Sequence, residues 1–220
     1  MTNHSETNQP DSSAQYSQAK QPQIHHFMTN QDERDEPMMG LVLKATHFAA
    51  QKHKDQRRKG QDAAPYINHP IALAHLLWHT AQVRDPVVIT AALLHDTVED
   101  TDATLDEIEQ EFGAEVKSVV AEVTDDKSLP QAVRKQQQID HAPHLSDRAR
   151  LVKLADKISN LTDLLRDPPI QWSIERQQTY FQWAKAVIDP IRGSHSGLEE
   201  IFDQIYHQGI EALKLGDRTP

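Results

Sequence analysis

The chain has 220 residues, 37% of them hydrophobic but only 5% aromatic, which suits one domain with a core of Leu, Ile, Val and Ala. A formal charge of −10 argues against nucleic acid and anionic membranes as partners. The absence of cysteine excludes disulfides, thiolate metal sites and thiol nucleophiles, and no apolar run reaches the roughly 18 residues that a bilayer span needs.

Glycine occurs only seven times, helix formers are plentiful, and no run of β-branched residues is bounded by turn signals. An all-α fold is expected. Residues 1–37 are rich in Gln, Asn, Ser and Thr with almost no Leu or Val, and read as a flexible polar tail. That segment has neither an apolar signal core nor the arginines of a transit peptide, so a cytoplasmic location is expected. Its His25-His26-Phe27 reads as part of a solvated tail rather than a metal or partner site.

The folded domain is expected over 38–220. Leu41, Ala45, Phe48 and Ala49 keep helical spacing from Met38 to about Lys54. A polar loop, 56–68, follows and contains Pro65. A second helix starts near Pro70 and covers Ile71, Leu73, Leu76 and Leu77. Pro86 opens a third, Val87 to Thr97. Thr104 and Glu107 form a capping box for a short helix to Phe112; Gly113 ends it, and Ala114 to Val123 continues as another. Pro130 opens a polar helix to about His141. Ser146 starts a long one that stops before Pro168-Pro169, Ser173 caps the next, and the last spans His195 to Leu213. The helices from Ser173 onward, with Phe181, Trp183 and Phe202, are expected to close the bundle.

The segment Ala91 to Asp100 is the most informative. On a continuous helix His95, Asp96, Glu99 and Asp100 share an arc of about 140°, with Leu94 and Val98 roughly opposite, free to face the core. Ala91 and Ala92 leave room beside them. Three carboxylates and an imidazole on one face repel unless a cation compensates, and Asp and His suit a divalent first-row metal. Further ligands must come from elsewhere. His69 stands at a loop-to-helix junction, where a side chain can point into a cleft. Asp156 lies in a strongly apolar helix, yet it projects nearly opposite the stripe Leu151, Leu154, Ile158, Leu161 and Leu165. With Asn160 one turn on, it reads rather as a solvated position; Val152 and Ala155 are the only hint that this face is covered. His75 and His79, four apart, have the spacing of a zinc chelate but no third ligand pattern beside them. Arg57-Arg58-Lys59 is a cluster of positive charge in an acidic protein, suited to phosphate.

These blocks together resemble the hydrolase domain of RelA/SpoT proteins, and more closely the stand-alone small alarmone hydrolases of that type, within the HD superfamily. The resemblance covers about Leu41 to Ala212. It rests on Arg58-Lys59, Pro65-Tyr66-Ile67-Asn68-His69-Pro70, Ala91 to Asp102, Glu122 to Lys127 and Lys153 to Leu161. It implies an HD-domain helical bundle, a single domain that binds one divalent cation, usually Mn2+, through His69, His95, Asp96 and Asp156. It further implies Glu99 and Asp100 as catalytic carboxylates and Arg58, Lys59 and Asn160 as substrate contacts. The implied reaction removes pyrophosphate from the 3′ position of guanosine tetra- and pentaphosphate (ppGpp and pppGpp), giving GDP or GTP. Alternatives are another HD-type nucleotide phosphatase, for example one acting on the 2′-phosphate of NADPH, and a nucleotide sensor without turnover. A small nucleotide is the expected partner; no feature of the sequence points to a particular oligomeric state.

Overall fold

The computed structural model describes residues 38–216. The polar segment 1–37, with His25-His26-Phe27, lies outside the described residues. Among these the architecture is helical without a strand; one isolated antiparallel bridge joins Arg57 to Pro65. In chain order the helices are α1 (Met38–Lys52), α2 (Asn68–His75), α3 (Pro86–Leu94), α4 (Thr97–Asp100), α5 (Leu105–Phe112), α6 (Ala114–Val123), α7 (Gln131–His141), α8 (Asp147–Arg166), α9 (Ile174–Ile188) and α10 (Ser196–Gly216).

The local signals explain most boundaries. The capping box closes in both directions between Thr104 and Glu107, and Ser146 and Ser173 cap α8 and α9 through Ala149 N–H and Arg176 N–H. Asp85 caps α3 from the position before Pro86. Beyond shifts of two or three residues at the ends of α1 and α10, two boundaries differ from the sequence expectation. The second helix begins at Asn68, so Pro70 is its third residue, where its missing N–H is one of the orphans of the first turn. Its far end, Leu76–Thr80, is a π turn closed by Ala81 N–H to Leu76 O at 3.0 Å.

The second difference bears on function. The third helix does not run on to Thr97 but stops at Leu94, turns through His95 and Asp96, and restarts at Thr97. The Thr97 hydroxyl donates to Leu94 O at 2.6 Å, and Asp96 sits at φ −97°, ψ −4°, off the regular helix. The expected single arc from His95 to Asp100 is therefore broken between two short pieces.

Two helices form the centre. In α3, Val88 through Leu94 are all buried, as expected for a helix apolar on every side; it touches α1, α2, α6 and α8. In α8, Val152 through Ser159 are all buried, and the helix touches α2, α3, α6, α9 and α10. Phe181 and Phe202 are fully buried where α9 and α10 close on α8, while Trp183 is half-buried.

Candidate active site

His69, His95 and Asp156 bring ligand-type atoms within 4.8 Å of one another, and Asp96 lies against both imidazoles. His69 comes from the first turn of α2, His95 and Asp96 from the turn after α3, and Asp156 from the middle of α8. His69 Nε2 lies 3.3 Å from Asp156 Oδ1 and 3.8 Å from Asp96 Oδ2; His95 Nε2 lies 3.0 Å from Asp96 Oδ2 and 3.8 Å from Asp156 Oδ1. His95 and Asp96 stand at the turn that follows Leu94, and the two side chains approach to 3.0 Å. Asp156 is not a solvated position: both faces of α8 are covered, and Asp156 is only 8% exposed.

The donor chemistry fits a divalent cation. Ligand atoms each about 2.1 Å from one ion are about 3–3.5 Å apart, close to the observed spacings. His95 Nδ1 donates to Ala92 O at 2.9 Å, which fixes the ring and points Nε2 inward. His69 Nδ1 meets Ser159 Oγ at 3.2 Å and leaves its own Nε2 toward the cluster. His95 Nε2 is out of line with Asp96 for a hydrogen bond, despite their 3.0 Å approach, and is a buried nitrogen without such a partner among the described residues. Ala91 and Ala92 are both fully buried, and the small side chain at each lets His95 fold back on the preceding turn.

Electrostatics point the same way. Burial disfavours charge throughout the cluster, but Asp96 and Asp156 outweigh it at His95, whose pKa is pushed up to about 9. Burial prevails at His69, which is pushed down. Asp156 is held well below the usual carboxylate range: burial opposes ionisation, but Lys157 overcomes it, with Nζ 2.9 Å from Oδ2. A metal ion at this point competes with the proton on His95.

Glu99 and Asp100 leave the cluster in different directions. Glu99 Oε2 accepts Asp125 N–H at 3.1 Å and Oε1 lies 3.5 Å from Arg134 Nη1. Burial, then the charge of Asp125, pushes Glu99 up to about 7. Asp100 is paired with Lys127 and accepts from the Tyr66 hydroxyl at 3.2 Å. The cationic run divides as well. Arg58 turns onto α8, donating from Nη2 to Asn160 Oδ1 at 2.8 Å, and Asn160 Nδ2 donates in turn to Asp156 Oδ1 at 2.5 Å. Burial opposes the charge of Arg58, but Asp163 outweighs it and holds its pKa above the usual value. Arg57 and Lys59 stay exposed, and Arg57 bonds only its own loop, through Lys54 O and Gln56 O. His75 and His79 lie side by side on the surface, with centroids 4.6 Å apart and the rings tilted by 35°, and take no part in the cluster.

Tyr66 escaped the reading of single residues. Its hydroxyl donates to Asp96 Oδ2 at 2.5 Å and so touches both a ligand-type carboxylate and Asp100. His53 covers its ring at 4.7 Å between centroids. Lys157 and Lys127 were missed too. All three stand inside the blocks that carry the family resemblance, which was the available signal.

A helical bundle with a paired His-Asp turn, a second imidazole and a distant aspartate defines a metal-site hydrolase class of fold. The family model described as "HD domain" matches residues 45–184, and the chain belongs to that family. Guanosine-3′,5′-bis(diphosphate) 3′-pyrophosphohydrolase of Xenopus tropicalis is 54% identical over 171 residues, 77% of this chain and 96% of that protein. The Homo sapiens enzyme of the same name is 54% identical over 167 residues, 76% of this chain and 93% of that one. A solved structure, described as a metazoan ortholog of SpoT that hydrolyzes ppGpp and plays a role in starvation responses, superposes with a TM-score of 0.75 at 46% identity. It covers 76% of this chain and 94% of its own.

Proposed function

We propose that this chain is a guanosine-3′,5′-bis(diphosphate) 3′-pyrophosphohydrolase, which converts guanosine tetra- or pentaphosphate and water to GDP or GTP and pyrophosphate. The observation that carries the reading is the convergence of His69, His95 and Asp156, with Asp96 against both imidazoles, in a chain whose near relatives bear that activity in their names. The relatives' names favour it over the NADPH phosphatase and sensor readings.

His69, His95, Asp96 and Asp156 would hold the cation, proposed as Mn2+ because mixed nitrogen and oxygen donors accept a first-row divalent ion. Such an ion, when bound, lowers the pKa of coordinated water and polarises a phosphoryl oxygen. Glu99, with its pKa near 7, can take or return a proton close to neutrality, as a general acid or base must. Asp100, held between Lys127 and the Tyr66 hydroxyl, orients the attacking water or the leaving oxygen. Arg58, Lys59 and Asn160 would receive the 3′-diphosphate, where cations already in place offset the charge it carries throughout the reaction.

The test incubates pure protein with Mn2+ and guanosine tetraphosphate and separates the products. GDP and pyrophosphate in equal amounts are expected, lost on adding chelator and lost in Asp96→Ala. Turnover of NADPH with none of guanosine tetraphosphate would overturn the assignment. Replacing Mn2+ by Zn2+ or Mg2+ in the same assay checks the metal, with the highest rate expected for Mn2+.

A further inference from the structure

The segment carrying Arg58 and Lys59 is a small hairpin, closed at its base by the bridge between Arg57 and Pro65 and by Arg58 N–H to Ala64 O at 2.9 Å. It is fastened to α8 twice. Arg58 Nε and Nη2 both donate to Asp163 Oδ2, at 3.1 and 2.7 Å. At the tip, Gln61 N–H and Asp62 N–H donate to the two carboxylate oxygens of Asp167, at 2.7 and 3.2 Å. Gly60 makes that second contact sterically possible. A Cβ there would stand 1.8 Å from Asp167 Oδ2 and 2.8 Å from Asp167 O, and the backbone oxygen cannot swing aside.

Asp156, Asn160, Asp163 and Asp167 recur at spacings of four, three and four, which is one face of a helix and its C-cap. That face therefore carries a member of the metal-type cluster and both fasteners of the cationic hairpin. Carboxylates beside a site for a polyanion are adverse unless each is already engaged, and Asp163 and Asp167 both are.

We infer that Asp167, with Gly60 packed against it, is a positioning residue that sets affinity for the phosphorylated substrate by fixing the hairpin, and with it Arg58 and Lys59, beside the cluster. The inference rests on the hydrolase reading above. Asp167 contacts backbone N–H groups of the hairpin and no group of the cluster. Releasing it leaves the chemistry intact and leaves the hairpin held through Arg58 alone, so that the substrate must order the tip and Lys59 at its own cost. The diphosphate is present in the ground state and the transition state alike, so the loss falls on KM rather than on kcat.

Steady-state kinetics on the full Mn2+-loaded chain with guanosine tetraphosphate test this, comparing wild type with Asp167→Ala, Asp167→Asn and Gly60→Ala. Bound metal and hydrogen exchange at the Gln61 and Asp62 amides are measured on the same samples. KM is expected to rise about tenfold in Asp167→Ala and Gly60→Ala, with kcat falling less than about threefold. Metal content should match wild type and exchange at the tip should be faster. Asp167→Asn keeps one acceptor oxygen and should fall between. Gly60→Ala removes no charge and no helix cap, so it remains decisive if Asp167→Ala weakens the end of α8. Faster exchange with unchanged KM, or a fall in kcat at constant KM, would overturn the inference. Absence of turnover in the wild type would instead overturn the functional reading, and the same assay distinguishes the two.

Discussion

Tyr66 joins the two carboxylates that the chemistry needs to keep apart in role. Its hydroxyl donates to Asp96 at 2.5 Å while sitting 3.2 Å from Asp100, and burial with those two charges beside it pushes its pKa upward, so it stays a donor. Tyr66→Phe keeps the ring against His53 and removes only the hydroxyl. A fall in kcat of about tenfold, with metal content retained, is expected from losing a hydrogen bond to a charged group; an unchanged kcat would show that neither carboxylate needs it. Glu99 allows a test by pH. Burial and Asp125 raise it from an ordinary 4.5 to about 7, so the folded protein keeps a proton that the unfolded chain has released. Its stabilising effect is complete below the unfolded value and is lost as pH rises through about 7. Metal-free Glu99→Gln should therefore melt at nearly the same temperature as wild type at about pH 5, and be more stable by about 1–3 kcal/mol at about pH 8. The same variant should keep its metal and lose at least about a hundredfold in turnover.

At the scale of elements, the helices from α5 to α9 begin directly after the places that Thr104, Gly113, Pro130, Ser146 and Ser173 mark. Capping and proline effects act over a few residues, so they are legible locally. The interruption after α3 was not. It depends on the Thr97 hydroxyl taking the Leu94 carbonyl and on Tyr66, thirty positions earlier, receiving the Asp96 side chain. The face of α8 was hidden for a related reason: Asp156 looks solvated until helices from elsewhere in the chain cover it. Helix packing also gives a prediction for α10. Gly209 lies against Phe181, and a Cβ there would meet the ring at 2.2 Å, while Phe181 is fully buried and has nowhere to move. Alanine is the better helix former by about 1 kcal/mol, but overpacking costs about 1–3 kcal/mol. Gly209→Ala should lower Tm by about 2–6 °C, as calorimetry would register; a higher Tm would mean that α9 and α10 can separate without cost.

For the whole molecule, the buried His-Asp cluster couples metal to folding. The four groups meet only in the folded chain, so a cation that binds there stabilises the native state alone. Melting temperature should rise with the logarithm of free Mn2+ once Kd is exceeded, by the equivalent of about 2.7 kcal/mol at a hundred times Kd. Chelator should reverse the rise, and Asp156→Asn should remove it. No helix among the described residues is long and apolar enough to cross a membrane.

The amino-acid sequence by itself determined the helical class, the succession of elements and the residue types from which a cation site could be assembled. Periodicity and caps record what each residue needs from neighbours within a turn or two, and those needs are met locally. Only the tertiary structure decided which carboxylate goes where: Asp96 and Asp156 to the cluster, Glu99 to Asp125 and Arg134, Asp100 to Tyr66 and Lys127. It also decided that Arg58 turns inward while Lys59 faces solvent. Those outcomes depend on contacts between segments separated by tens of residues, and the strength of each charge depends on burial that no single segment supplies.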